Sequence, residues 1–404
     1  MPAPRATLAL LAVVVFADSL AQSISFPLLP RLTASVVGGG PADTARWVGF
    51  LEVGWALPYF LAAPVLGLLA DRFGRKPIIV LSLLGIGVEL LCNVLAQNVG
   101  WLLAGRISCG LTFGGQLAAL AYVADVVPPE RRTAAFGWIN AALYGGIMAG
   151  PLLGGALAGI DLRLPFQVAC AVAFAAAVFA LLFLKESLPP DRRSRSSRAD
   201  VAPWRTLSVL RGPGLPVLTI IFALVWLSYQ GSDNLTVLYT ADRYGWTPLQ
   251  FGALVTLLAA LGLLAQGLLA GRLAARWGDR RTLIVGLSLQ AAGVAAMGLA
   301  PASVLFVAAT LPAMLGSVAR PALQSLMSAR VGPDEQGRLQ GAMAAVGGLT
   351  SVAAPILSTQ LYAWTLGRPE HTDAWSGLTL VAAGGVSALA ALVVLTRTAA
   401  NRSA

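Results

Sequence analysis

Apolar residues in this chain run in long blocks broken by short charged ones. VGWALPYFLAAPVLGLLA is followed by DRFGRKP and then by IIVLSLLGIGV. A bilayer core of about 30 Å takes about 20 helical residues to cross. Blocks of that length can be drawn twelve times, near 6–29, 46–70, 78–96, 99–124, 133–159, 165–184, 214–238, 246–271, 282–300, 303–328, 339–364 and 374–396. The pattern predicts an all-α membrane protein with twelve transmembrane helices. The first block is too long for the apolar core of a signal peptide, carries Asp18 and is followed by more spans, so it reads as an uncleaved first helix.

The blocks repeat. At an offset of 204 residues Gly67, Arg72, Gly74 and Lys76 fall on Gly271, Arg276, Gly278 and Arg280. At the same offset Val127 and Pro129 meet Val331 and Pro333, and Ala149 and Pro151 meet Ala353 and Pro355. Three separated matches at one offset divide the chain into two pseudo-symmetric six-helix bundles, 1–185 and 214–404. Between them the segment 186–213, rich in Arg, Ser and Pro, reads as a cytoplasmic linker. Two equivalent bodies suit a rocking transporter, in which one half moves against the other. A channel has no need of that construction.

Composition agrees with the span count: 57% of the 404 residues are hydrophobic and 11% charged, against about 25% charged in a soluble domain. The net charge of +10 is explained by topology and calls for no nucleic acid. Of the 28 basic residues, Arg31, Arg46, Arg163, Arg243 and Arg368 fall in outer segments and Arg106 and Arg320 within spans; the rest lie on one side. Positive residues gather on the cytoplasmic side, which puts both termini inside a cytoplasmic (inner) membrane. Cys92, Cys109 and Cys170 lie in apolar segments without CxxC spacing, and His371, the one histidine, lies in an outer loop. No metal set, cofactor motif or Cys/His nucleophile follows from such a scatter, so neither a metal, a cofactor nor an enzyme activity is expected.

Charges inside spans are more informative. Asp18, Glu52, Glu89 and Arg106 lie within the first four, where each costs roughly 2.5 to 3.5 kcal/mol near the bilayer centre on insertion scales. Burial disfavours a carboxylate, so an acid that alternately meets the two sides of the membrane can carry a proton. Asp18 stands mid-span with Gln22 and Ser25 at i+4 and i+7, on one polar face. It is the first candidate for proton coupling, followed by Glu89 and Glu52, with Arg106 as a counter-ion that tunes a nearby acid. In the seventh span Trp226, Gln230 and Asp233 recur at i, i+4 and i+7 beside Asn234. With Gln22, Ser25, Trp55, Tyr59, Gln116, Asn140, Tyr144 and Gln324 they are expected to line an apolar, aromatic substrate cavity with a few hydrogen-bonding groups. In the fifth span Gly146, Gly150 and Gly154 stand four apart, extended by Ala142 and Ala158, a smooth stripe for close helix packing that Pro151 bends.

GLLADRFGRKPI resembles the signature loop of the major facilitator superfamily, and the twelve spans follow that family's arrangement over the whole chain. The resemblance implies a gating latch of Gly67, Asp71, Arg72, Gly74 and Arg75, in which Arg75 pairs with Asp125 at the end of the fourth span. The run Gly146, Gly150, Pro151, Gly154, Gly155 is similar to the motif that marks drug:proton antiporters within that superfamily. FADSLAQSISFPLLPRL, LSLLGIGVELL, LLAGRISCGL, VLYTADRYGW and PALQSLMSARVGPDEQGRLQGA resemble the tetracycline/proton antiporter branch, whose functional first-span Asp, third-span acid and fourth-span Arg map to Asp18, Glu89 and Arg106. The chain departs from that branch at Gln266 and Gln290, where the branch can carry a histidine and an aspartate.

The expected activity is proton-coupled export of a small amphipathic compound, drug- or tetracycline-like, by alternating access. Proton-coupled import of a small metabolite is the alternative. The expected partners are that small molecule, protons and the lipid bilayer, with a single chain as the working unit and no nucleic acid.

Overall fold

The computed structural model describes residues 4–189, 208–332, 335–367 and 376–399; His371, Asn234's side chain and most of the expected linker lie outside the described residues. Among these residues the chain is helical, without strands. In chain order the helices are α1 (Pro4–Ser25), α2 (Leu29–Val37), α3 (Pro41–Phe73), α4 (Arg75–Leu95), α5 (Val99–Thr112), α6 (Gly115–Val126), α7 (Pro129–Ala158) and α8 (Leu164–Phe183). After the linker come α9 (Leu215–Tyr244), α10 (Pro248–Leu264), α11 (Gly271–Leu299), α12 (Ser303–Leu315), α13 (Ala319–Ser328), α14 (Gln336–Leu366) and α15 (Leu378–Ala399).

Eleven stretches among the described residues are long and apolar enough to cross a membrane, and α10 is a shorter apolar helix that runs through a π-helical turn, Ala265–Ala270, into α11. α11 is itself interrupted at Gly278 (φ 77°), so the eighth span ends and the ninth begins there, as the third begins after Gly74 (φ 109°). Both glycines sit in the left-handed region, which L side chains rarely adopt. The chain is a multi-pass membrane protein.

The repeat is visible in the packing. One apolar core contains Leu11, Ile79, Leu83, Ala118, Ala119, Val123, Ala135 and Ile139. A second contains Leu215, Leu283, Leu287, Ala322, Leu323, Met327, Leu339 and Met343, the residues 204 positions on. The two halves differ where one carries a proline and the other does not. Pro27 restricts Phe26 and ends α1 at Ser25, whereas Gly231 stands at the equivalent point of α9, which continues for 30 residues.

The fourth and tenth spans are each broken at matching places. The fourth is α5 and α6 with Phe113 and Gly114 between them; the tenth is α12 and α13 joined by a 3₁₀ turn, Gly316–Val318. Glycine at both points weakens the helix. Interrupted spans at corresponding places in two repeats are a pointer to a binding site in transporter folds.

The described chain forms two compact units, whose borders run inside two helices. Of the described residues, the first comprises 4–38, 54–189 and 247–256, and the second 39–53, 208–246 and those from 257 to 399. The N-terminal part of α3 thus belongs to the second unit: a side chain on Gly49 would overlap Thr359 of α14. The start of α10 packs with the first.

Candidate functional site

In the first unit the loop between α3 and α4 turns at Gly74, which aims Arg75 back along the end of α3. The Arg75 guanidinium donates to Asp71 through Nη1 and to Asp125, near the end of α6, through Nε at 3.1 Å. Asp71, Arg75 and Asp125 are therefore brought together as one partly buried ionic group. Arg72 points outward over the Phe73 ring, and Gly67 lies on the exposed side of α3. Glu186, just past α8, was not legible as part of this group. Its Oε1 accepts from the backbone N–H of Arg75 (2.8 Å), Ser187 (2.9 Å) and Leu188 (3.0 Å), and its Oε2 from that of Lys76 (3.2 Å). Ser187 Oγ donates to Asp125 Oδ2 at 3.0 Å.

The glycine stripe of α7 is the seat of α1. A methyl group on Gly146 would meet the Phe16 carbonyl and Ser19, one on Gly150 would meet Ser23, and one on Gly154 the Ile24 carbonyl. Ser23 Oγ donates to the Gly146 carbonyl at 2.9 Å. Gly155 faces a different partner, the Pro248–Leu249 backbone at the start of α10, and Thr256 of α10 donates to the Met148 carbonyl at 2.7 Å. Pro151 is buried in this seam, where its carbonyl lies against Gly252.

Because α1 lies so close, Asp18 is held inside the unit with 9% of its surface exposed. Gln22 Nε2 donates to Asp18 Oδ2 at 3.0 Å. The other oxygen, Oδ1, is buried without a hydrogen-bond partner among the described residues. Asp18 also borders a small cavity, lined further by Leu83 of α4, Gly115 and Gln116 of α6 and Leu143 of α7. Ser25 bonds back to the Gln22 carbonyl.

Glu89, also 9% exposed, pairs with Arg106 across α4 and α5, Oε1 to Nη1 at 3.4 Å. Beside the break in the fourth span stands a cluster of three rings. Trp55 and Tyr59 stack with centroids 5.2 Å apart, and Phe113 meets each of them edge-on at 5.3 Å. Phe113 is an apolar residue in an apolar block, so sequence pattern offered no reason to select it.

The second unit holds most of the remaining residues. Glu52, in the N-terminal part of α3, and Arg320, in the first turn of α13, both lie within electrostatic range of Asp233 of α9. The Arg320 guanidinium lies 4.5 Å from the centre of the Tyr229 ring, and Trp226 meets that ring edge-on at 6.0 Å. Gln230 Nε2 reaches Thr350 Oγ1 at 3.5 Å. Gln324 bonds Gln340 at 3.3 Å on an exposed face. In the first unit Gln116, Asn140 and Tyr144 are exposed, with Gln116 lining the Asp18 cavity. Gln266 is exposed in the π turn and Gln290 is buried against Gly316.

The arrangement contains buried charge, polar side chains and helix breaks, and comparison with known proteins agrees with that reading. A profile of the Major Facilitator Superfamily matches residues 11–269 and 234–404. The class C tetracycline resistance protein of Escherichia coli is 31% identical over 387 residues, covering 96% of this chain and 95% of that protein. Multidrug resistance protein 2 of Bacillus subtilis is 29% identical over 67% of each chain. Among solved structures, the nucleoside transporter NupG superposes with a TM-score of 0.78 over 96% of this chain and 98% of its own, at 12% identity. With a profile match along nearly the whole length and a relative at this level of identity, the chain belongs to the Major Facilitator Superfamily, a transporter and not an enzyme.

Proposed function

We propose that this protein exports a small amphipathic organic compound from the cell in exchange for protons, by alternating access. It works as a single chain in the cytoplasmic membrane with both termini inside. The likeness to tetracycline and multidrug resistance proteins supports this class of cargo.

The observation that carries the proton step is Asp18. A carboxylate with one oxygen satisfied by Gln22 and the other buried without a donor is held here in surroundings that suit its neutral, protonated form. When the same carboxyl meets water in another arrangement of the helices, it releases the proton. Arg106 pairs with Glu89 and supplies the counter-charge that offsets the burial of that acid. The rings of Trp55, Tyr59 and Phe113 supply flat apolar contact for the cargo. The group of Asp71, Arg75 and Asp125 is the latch whose making and breaking accompanies the change of state.

The test is purified protein in liposomes loaded with a pH-sensitive dye. Tetracycline and a panel of amphipathic compounds are added on one side. A proton flux that depends on the compound and saturates with it supports antiport. Movement of compound without proton flux, or proton movement in the same direction as the compound, refutes it.

A further inference from the structure

We propose that Glu186 is the positioning residue of the latch and the point at which the linker between the halves is fastened to it; this rests on reading Asp71, Arg75 and Asp125 as a latch. Arg75 and Lys76 open α4, and the first N–H groups of a helix have no partner within it. Glu186 supplies one from outside, accepting from both backbone N–H groups at the positive end of the helix dipole. The same carboxylate accepts from Ser187 and Leu188, which curls the start of the linker around it.

Three further contacts hold the segment in place. The Tyr122 hydroxyl donates to the Lys185 carbonyl at 2.7 Å, Ser187 Oγ donates to Asp125 Oδ2 at 3.0 Å, and Leu188 is buried. Asp125 Oδ2 thus receives both the latch arginine and the linker serine. A shift of Arg75 away from Asp125 disturbs the seat of the linker, and a pull on the linker disturbs Arg75.

The repeat shows that this is more than a helix cap. Gly74 and Gly278 are equivalent and share a positive φ, but a methyl group on Gly74 would overlap the Glu186 carboxylate, whereas at Gly278 no described residue lies within 4 Å. At the position equivalent to Arg75 the second half has Asp279, which accepts from Ser325 at 2.6 Å. The carboxylate cradle belongs to the half from which the linker leaves. The turn alone does not require it.

The experiment compares Glu186→Gln, Glu186→Ala, Ser187→Ala and Arg75→Ala, and the pair Glu186→Ala with Arg75→Ala, in inverted vesicles with tetracycline or ethidium as probe. We expect Glu186→Ala to lower the maximal rate about tenfold with KM unchanged, and Glu186→Gln and Ser187→Ala to lower it about threefold. Adding Glu186→Ala to Arg75→Ala is expected to cause no further loss, because both act through one group. Backbone amide exchange of the detergent-purified protein, which needs no transported compound, is expected to rise at Arg75 and Lys76 in Glu186→Gln. Wild-type rates in Glu186→Gln and Ser187→Ala while Arg75→Ala is impaired overturn the tie and leave the latch. So does unchanged exchange at Arg75 and Lys76, or losses that multiply in the double variant. An unimpaired Arg75→Ala overturns the latch and the tie together.

Discussion

Replacing Asp18 with asparagine separates coupled from passive transport. The amide has nearly the shape of the protonated carboxyl and keeps an oxygen for the Gln22 donor, now at 3.0 Å from Oδ2. Only Oδ1 changes, and it has no described partner to lose. Folding is therefore expected to change by less than about 1 kcal/mol, within the range of near-isosteric swaps. The effect on transport is larger. One proton moving down 100 mV supplies about 2.3 kcal/mol, which sustains up to about a fiftyfold gradient of a neutral compound. Asp18→Asn has no proton to exchange, so its limit is onefold. The assay is uptake of tetracycline or ethidium into inverted vesicles energised by an imposed gradient, beside passive counterflow in the same vesicles. Counterflow should persist and accumulation should vanish. Accumulation severalfold above equilibrium in Asp18→Asn would refute the assignment and move the proton site to Glu89 or Glu52.

The seam between α1 and α7 predicts different outcomes at neighbouring glycines. Gly145→Ala places its methyl 3.5 Å from the Phe16 ring, an ordinary contact, and is expected to be active, whereas at Gly146 the nearest atom is the Phe16 carbonyl at 2.7 Å. Gly146→Ala should therefore lose about 1 to 3 kcal/mol of stability by overpacking, read as a lower unfolding midpoint in detergent. Arg75→Lys should lose most of the rate lost by Arg75→Ala, because a single ammonium cannot reproduce the two-sided contact with Asp71 and Asp125; initial transport rates check this. Phe113→Ala removes two edge-on ring contacts, and at about 0.5 to 1.5 kcal/mol per aromatic pair it should lower the unfolding midpoint in detergent more than Phe113→Leu does.

The membrane character, the twelve spans and the offset of 204 residues were present in the order of residues, because the bilayer selects for block length and the repeat leaves matching glycines and prolines at fixed spacing. Asp18 was legible for a related reason: a charge in an apolar block is conspicuous without any knowledge of its neighbours. The stripe of Gly146, Gly150 and Gly154 also announced that a helix would lie against it, though not that the helix was α1 or that Gly155 would face α10. What only the folded chain decided is which distant segments meet. Glu186 follows Lys185 at the end of an ordinary run of small and apolar residues and reads as one more charge at the start of a linker, yet folding returns it across 111 positions to the N–H of Arg75. Phe113 is one of many aromatic residues until the break in its span turns it onto Trp55 and Tyr59. Glu52 shares a helix with Trp55, but the N-terminal part of α3 belongs to the second unit and sets it near Asp233 of α9. A periodicity records whether a position along one helix is wet or dry; the partner it acquires there depends on how helices far apart in the chain dock, which no local pattern contains.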